Sequence, residues 1–319
     1  MLQNYSSMRF SRLFSIYLLP PHTSLCSFCK HHDRGTGPAI NQSLHIDLPT
    51  QSMSQPRALG AAKLSVYGDA QGTTRLRDLR QSGSLKLVFP QTHRQDVEAI
   101  MVNTAGGITG GDQFALNVTV ERGARLSITT QAAERAYRAQ RGEVGSVTTD
   151  IEVQDGGSLN WLPQELILFD RCALRRCLSI DLAPTARLLM VEPIVFGRAA
   201  MPEVLNDVMF RDRIRITRKG RPIYIDGMDL NGDATKHLAR PAIANGAGAM
   251  ASLVMVGPDA KSHLKTVRRL LPRTAGASLL ADDVLVIRQL ASDSFELRRS
   301  LIPILNHLTN NTLPLSWRL

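Results

Sequence analysis

The sequence predicts a mostly β protein, with stacked hairpins in a solenoid-like or sandwich-like body and a small C-terminal α/β part containing about two helices. Three observations lead there. A short strand-turn-strand pattern recurs along the middle of the chain, a glycine-paired run precedes it, and the hydrophobic period lengthens only near the end. The expected division is residues 1–52 as a disordered extension or a mis-assigned start, 53–245 as the β body, and 246–319 as the α/β part packed on it.

The first stretch has no acid between Met1 and His32 but carries Arg9, Arg12 and Lys30. Its apolar run, Leu13 to Leu19, ends in Pro20-Pro21 without a small-residue cleavage site and is too short to span a bilayer. Cys26, Cys29, His31 and His32 have metal-like spacing. They lie in a polar, aperiodic region with no second ligand pair, so a disordered tail is the better reading.

Asn103-Thr104-Ala105-Gly106-Gly107-Ile108-Thr109-Gly110-Gly111-Asp112 contains two glycine pairs closed by an acid. Glycine is needed where φ is positive or where the backbone passes close to another group. A phosphate-cradling loop would end in Gly-Lys-Ser/Thr, and this run ends in Gly-Gly-Asp. A dinucleotide fingerprint would lead into a helix, whereas Phe114, Leu116, Val118 and Val120 alternate as a strand does. Gly106, Gly107, Gly110 and Gly111 are therefore read as a structural turn.

The repeat follows. Val118-Thr-Val120-Glu-Arg-Gly-Ala-Arg-Leu126 has the form of Ile151-Glu-Val153-Gln-Asp-Gly-Gly-Ser-Leu159 and of Ile180-Asp-Leu182-Ala-Pro-Thr-Ala-Arg-Leu188. An apolar alternation, a polar or Gly/Pro turn and a second strand make hairpin grammar. A fourth copy from Ile214 to Ile225 is one residue longer in its turn. Serial units of one length imply sheets growing in one direction. If the copies stack, Glu165, Glu192 and Asp226 emerge at equivalent ends of neighbouring strands as a file of carboxylates, with Asp112 near it.

Arg211, Arg213 and Arg215 alternate with Ile214 and Ile216, and Arg218, Lys219 and Arg221 follow, so one strand face and its turn are strongly cationic. The net charge of +10 invites a nucleic-acid reading. Aromatics are only 5%, so stacking platforms are scarce and no nucleic-acid motif appears. A solvated outer face, or a surface for an acidic protein partner, fits better.

Late in the chain, Ala249–Val256 and Val284–Leu290 read as buried strands. Asp259 to Leu271 reads as a helix with Leu264, Val267, Leu270 and Leu271 on one face, capped near Asp259 and stopped by Pro272. From Phe295 to Leu308 a second helix aligns Leu297, Leu301, Leu305 and Leu308, with Pro303 expected to kink or divide it.

The chemistry available is limited. Outside the tail the histidines are His93, His237, His263 and His307, none at ligand spacing from a cysteine or a glutamate. No Gly-x-Ser-x-Gly elbow and no Cys-His constellation occurs. The acids leave one enzymatic reading, a β-solenoid glycoside hydrolase using paired carboxylates. That reading calls for sugar platforms and a secretion signal, and the chain has two Trp and no convincing signal.

Asn103 to Asp112 resembles the glycine signature of the urease accessory protein UreD family, also called UreH. The likeness continues in order through Thr129-Thr130-Gln131-Ala132-Ala133 with Tyr137-Arg138, Trp161-Leu162-Pro163-Gln164-Glu165, Phe196-Gly197-Arg198, Gly220-Arg221-Pro222 and Ala275-Gly276-Ala277-Ser278. It runs from about residue 58 to Trp317. The resemblance implies a predominantly β fold with a few later helices, and a cytoplasmic, non-enzymatic scaffold. It would dock on apo-urease subunits and on UreF, and through UreF meet the GTPase UreG, without nucleic acid or membrane. Nickel would be in transit, with no permanently bound cofactor. Asp112, Glu192, Asp226 and Glu165 would be candidate transient nickel-conduit acids, since spaced carboxylates attract a borderline divalent ion without caging it. Gln113 stands where relatives can place a second acid. Cys172 and Cys177 are read as reduced thiols.

Overall fold

The structure, a computed structural model, describes residues 55–91, 94–198 and 203–318. The expectations for residues 1–52, including the Cys26, Cys29, His31 and His32 cluster, fall outside the described residues, as does His93.

The chain opens with β1 (Leu59–Gly68), β2 (Thr74–Gly83), β3 (Leu85–Val88) and β4 (Val97–Asn103). It then alternates between two sheets. β5 (Gln113–Val120) enters the first sheet and β6 (Arg125–Thr130) the second. After the short β7 (Glu134–Ala136), β8 (Gly145–Val153) and β9 (Ser158–Leu162) repeat that step. After β10 (Leu166–Leu168), β11 (Ala173–Leu182) and β12 (Arg187–Phe196) repeat it again. β13 (Val208–Arg218) and β14 (Arg221–Gly232) finish the first sheet, whose order is β14-β13-β11-β8-β5-β1-β2. The remaining elements are α1 (Ala234–Leu238), β15 (Ala249–Val256), α2 (Ala260–Leu270), β16 (Ala275–Ala281), β17 (Val284–Ala291) and α3 (Ser294–Leu308). The second sheet runs β16-β17-β15-β12-β9-β6-β4-β3, with β7 and β10 paired beside β12.

The expected mostly β, solenoid-like body is thus present, and its repeats stack. Val118 pairs with Ile151, Ile151 with Ile180, and on the other sheet Leu126 with Leu159 and Leu159 with Leu188, all in parallel ladders. The local pairing differs from the expected hairpins in three copies, because each crosses from one sheet to the other. The reason lies in the turns. Between β5 and β6, β8 and β9, and β11 and β12 the connection is four residues, Glu121–Ala124, Gln154–Gly157 and Ala183–Ala186. These carry the chain across the roughly 10 Å between stacked sheets, where pairing with itself would need only about 5 Å. Successive turns bond to one another, Gly123 N–H to Asp155 O at 3.1 Å and Gly156 N–H to Thr185 Oγ1 at 2.8 Å. The fourth copy is a true hairpin. Its turn is only Lys219-Gly220, both with positive φ, 54° and 70°, which is the two-residue geometry that matches strand twist. Its register is also shifted, since Ile180 faces Ile216 and not Ile214. An even shift keeps the same face inward.

Burial explains the sequence patterns. The first sheet has one solvated face, so β13 alternates, with Arg211, Arg213 and Arg215 exposed and Phe210, Ile214 and Ile216 buried. Part of that cationic face is paired, Arg211 and Arg213 both reaching Asp229. The second sheet is covered on both faces, so β15 is buried at every position. Its inner face joins the first sheet through Leu126, Leu159, Leu188 and Met190. Its outer face packs Val191, Leu253, Leu285 and Ile287 against Leu297, Leu301 and Leu305 of α3. β15, β17 and β16 extend this sheet directly from β12, and α2 and α3 cover it.

Both expected later helices form, and the five-residue α1 adds a third that is too short to show a period. Two details differ. Asp259 makes no side-chain cap to α2, because Arg187 holds its carboxylate at 2.6 and 2.7 Å. Pro303 does not divide α3; it lies on the exposed side, where the missing N–H removes no buried hydrogen bond. Asp293 caps α3 through the Glu296 N–H at 2.9 Å.

The glycine run carries the chain from β4 to β5, again between sheets. Gly106, Gly107 and Gly111 have positive φ, while Gly110 does not. Gly110 is there for space, because a Cβ would lie 2.7 Å from Glu143 Cβ and 2.8 Å from Glu143 O. Gly106 has open space around it. Gly110→Val is expected to lower the thermal midpoint by more than Gly106→Ala, at an overpacking cost of about 1–3 kcal/mol. Equal midpoints for Gly110→Val and the parent chain would show that the turn yields freely.

Candidate functional site

A polar seam interrupts the apolar layer between the sheets. Inward slots on the first sheet read Leu174, Arg176, Leu178 on β11 and Phe210, Asp212, Ile214 on β13. Those on the second read Met190, Glu192, Ile194 on β12, and Arg288 follows Val284 and Val286 on β17. Register brings the exceptions together. Arg176 faces Asp212 across β11 and β13. Glu192 faces Ser252, and Ser252 faces Arg288, across β12, β15 and β17.

Arg176 joins the two sheets. Its guanidinium donates to both Asp212 oxygens, Nε to Oδ1 at 2.9 Å and Nη2 to Oδ2 at 2.6 Å. Its Nη1 lies 2.6 Å from Glu192 Oε2 as an ion pair, without the alignment of a hydrogen bond. Trp161 Nε1 donates to Glu192 Oε1 at 2.6 Å. Burial pushes the Glu192 carboxyl above its ordinary value; Arg176 pulls it down and Asp212 pushes it further up. Burial alone would lower the Arg176 value, but Asp212 and Glu192 outweigh it and the guanidinium stays charged.

Asp226 on β14 completes the seam. Its Oδ2 accepts from Tyr224 Oη at 2.9 Å and Ser252 Oγ at 3.2 Å, and it is ion-paired with Arg288. Burial, then the Asp226 charge, raises the Tyr224 phenol, so it remains a donor. Glu192, Asp212, Asp226, Ser252 and Arg288 line one cavity of about 10 Å³. That is room for about one water molecule. Three carboxylates here meet two guanidinium groups.

Of the four acids singled out in the sequence, Glu192 and Asp226 come together, and Asp112 and Glu165 stand elsewhere. Asp112 closes the glycine turn, its Oδ1 accepting from Ala58 N–H and its Oδ2 from Thr109 N–H, both at 2.8 Å. Glu165 faces α3, with Arg298 Nη1 3.1 Å from both its oxygens. Arg298 also donates to Trp317 O at 2.8 Å, and Trp317 Nε1 to Leu162 O at 2.9 Å. Asp212, Arg176, Arg288, Ser252 and Trp161 were missed. For Arg176 and Asp212 the signal was present, a charged residue in a slot where the alternation calls for an apolar one, while Trp161 reads as core and Ser252 sits in a strand buried throughout.

Among the described residues no three of His, Cys, Asp and Glu come together as a metal cage. Burial pushes the Cys172 thiol up to about 12, which leaves it unreactive. No helix among the described residues is long and apolar enough to cross a membrane. The cavity cannot admit a sugar ring, and Arg176 stands between Glu192 and Asp212, so the seam lacks the open paired acids of a glycoside hydrolase.

The described residues form a two-sheet β-solenoid with an enclosed, ion-paired seam between its sheets. Comparison with known proteins gives its family. Residues 59–318 match the family described as UreD urease accessory protein. The Urease accessory protein UreD of Roseobacter denitrificans is 52% identical over 267 residues, covering 84% of this chain and 97% of that one. The Ruegeria pomeroyi protein of the same description is 55% identical over 239 residues, 75% of this chain and 93% of the relative. That of Rhizobium etli is 43% identical over 249 residues, 78% and 91%. The chain belongs to the UreD family of urease accessory proteins, which are not enzymes.

Two outcomes test this geometry. Asp112→Asn can accept only one of the two backbone N–H groups, so it is expected to cost about 1–3 kcal/mol in denaturant unfolding. No loss would mean that the turn holds without the carboxylate. Glu192 has a raised folded-state value, so its contribution is present below the ordinary 4.5 and is lost as pH rises through the folded value. Glu192→Gln should therefore gain stability relative to the parent chain between pH 4.5 and neutrality. A difference independent of pH would show that Glu192 titrates as an exposed acid does.

Proposed function

We propose that this chain serves urease maturation as a scaffold that docks on apo-urease and on UreF, and helps nickel pass from the UreG GTPase toward the urease active site. Membership of the UreD family supports the urease role. The observation that carries the nickel step is the buried seam, where Glu192, Asp212 and Asp226 line one cavity inside the two-sheet body. Carboxylate oxygens suit a borderline divalent cation, and the described residues lining that cavity include no histidine or cysteine that would trap it.

The seam sets conditions on passage. A cavity of about 10 Å³ does not hold a hydrated ion, so nickel sheds water and the guanidinium groups of Arg176 and Arg288 swing aside. Glu192 and Asp226 are the conduit acids that meet the ion there. Asp112 at the glycine turn and Glu165 at α3 would act before or after that point, where their present partners release them. Nickel is cargo in this scheme, and no resident cofactor is involved. The setting is the cytoplasm, where the partners work.

The test separates conduit from scaffold. Replacing a carboxylate by its amide keeps shape and removes a charge whose pull on an ion at about 4 Å is about 4 kcal/mol at an effective dielectric of about 20. Glu192→Gln with Asp226→Asn should still co-purify with UreF and urease, while urease activation falls at least tenfold. Full activation in that double variant would remove the seam from the nickel path. Loss of the complex would place these acids in folding or docking.

A further inference from the structure

Away from the seam, on the outer face of the second sheet, two histidines meet across α2 and α3. His263 Nδ1 lies 3.1 Å from His307 Nε2, with the rings inclined at 74°. On its far side His263 Nε2 lies 3.5 Å from Asp259 Oδ2, and Arg187 clamps that carboxylate. A carboxylate behind an imidazole fixes the ring and takes the proton-bearing nitrogen, which leaves the other nitrogen as a lone pair. Here that lone pair is His263 Nδ1, aimed at His307.

The separation fits a shared ion. Two imidazole nitrogens bound at about 2.0–2.1 Å stand about 2.9 Å apart at a right angle and about 3.4 Å apart at the tetrahedral angle. The observed 3.1 Å falls between them. A plain N–H···N hydrogen bond has a similar length, and the two differ in what an added cation does. The His263 side chain is 19% exposed, which lets water fill the remaining positions. Arg269 nearby and the sharing of Asp259 with Arg187 keep the field cationic, so binding is weak and exchangeable.

We propose that His263 and His307 form a two-imidazole site for a borderline divalent cation of the Ni²⁺, Cu²⁺ and Zn²⁺ class, with Asp259 as its positioning residue. The site is independent of the buried seam and of the delivery reading.

Equilibrium dialysis of the full chain against Ni²⁺ alone tests it. The parent chain should hold one more ion than His263→Gln or His307→Gln, whose amides keep a polar contact between the helices. Asp259→Asn should bind the same ion about 10- to 100-fold more weakly. Unchanged stoichiometry and affinity in both histidine variants would overturn the site, and unchanged affinity in Asp259→Asn would overturn its positioning role. Should the variants fail to fold, the parent chain alone decides. Ni²⁺ should protect both histidines from diethylpyrocarbonate, read residue by residue by mass spectrometry, and equal modification with and without the ion would overturn the proposal.

Discussion

The crossing of the chain between two sheets at every four-residue turn is the constraint on which the rest depends. A strand that enters such a turn cannot pair with the strand that leaves it, so it pairs with its counterpart one coil away, and inward slots stack on inward slots. Val118, Ile151, Ile180 and Ile216 form one such row. The rule does not distinguish apolar from charged residues. Arg176, Asp212, Glu192 and Arg288 occupy the same kind of slot, and register within each sheet together with the stacking of the two sheets brings them face to face.

Their presence there is costly. Each ion loses several kcal/mol of hydration on burial, and well-packed apolar replacements of buried ion pairs are often neutral or stabilising. Packing would have been served by leucine or valine at these positions. Asp112 and Glu165 have plainer structural uses. Asp112 ties the segment before β1 to the glycine turn through two backbone N–H groups. Glu165 anchors Arg298, which holds Trp317 and so the end of the described chain against the second sheet. Stability accounts for those two acids and not for the seam.

The legible part of the fold was whatever depends on local period and turn chemistry. Period-2 alternation showed β5 and β13, continuous apolar runs showed β15 and β17, and leucine spacing showed α3. Pairing partners were not legible, because a turn of four residues and one of two look alike as polar, glycine-bearing breaks. The structure separates them by length, two residues with positive φ at Lys219 and Gly220 making the hairpin and four residues making each arch. The site was half legible for the same reason. Offsets along the repeat singled out Glu192 and Asp226, but they treated Glu165 as equivalent although it faces α3. The partners Asp212 and Arg176 were visible as breaks in alternation, yet Arg211 and Arg213 flank Asp212 and made the segment look like a solvated charge run.

The ion pairs also bear on how an interior of this kind can attract a cation without keeping it. A bare trio of carboxylates would bind a divalent ion tightly and release it slowly. With Arg176 on Glu192 and Asp212, and Arg288 on Asp226, an entering ion must displace a tethered cation, and the tethered cation can return and displace the ion. The two guards are not equal. Arg176 is held by two acids and its side chain is 15% exposed, whereas Arg288 has one acid and is 26% exposed. Under the delivery proposal the Asp226 side opens first, and Glu192, whose charged form burial already disfavours, is the last acid to be freed and the first to be closed again.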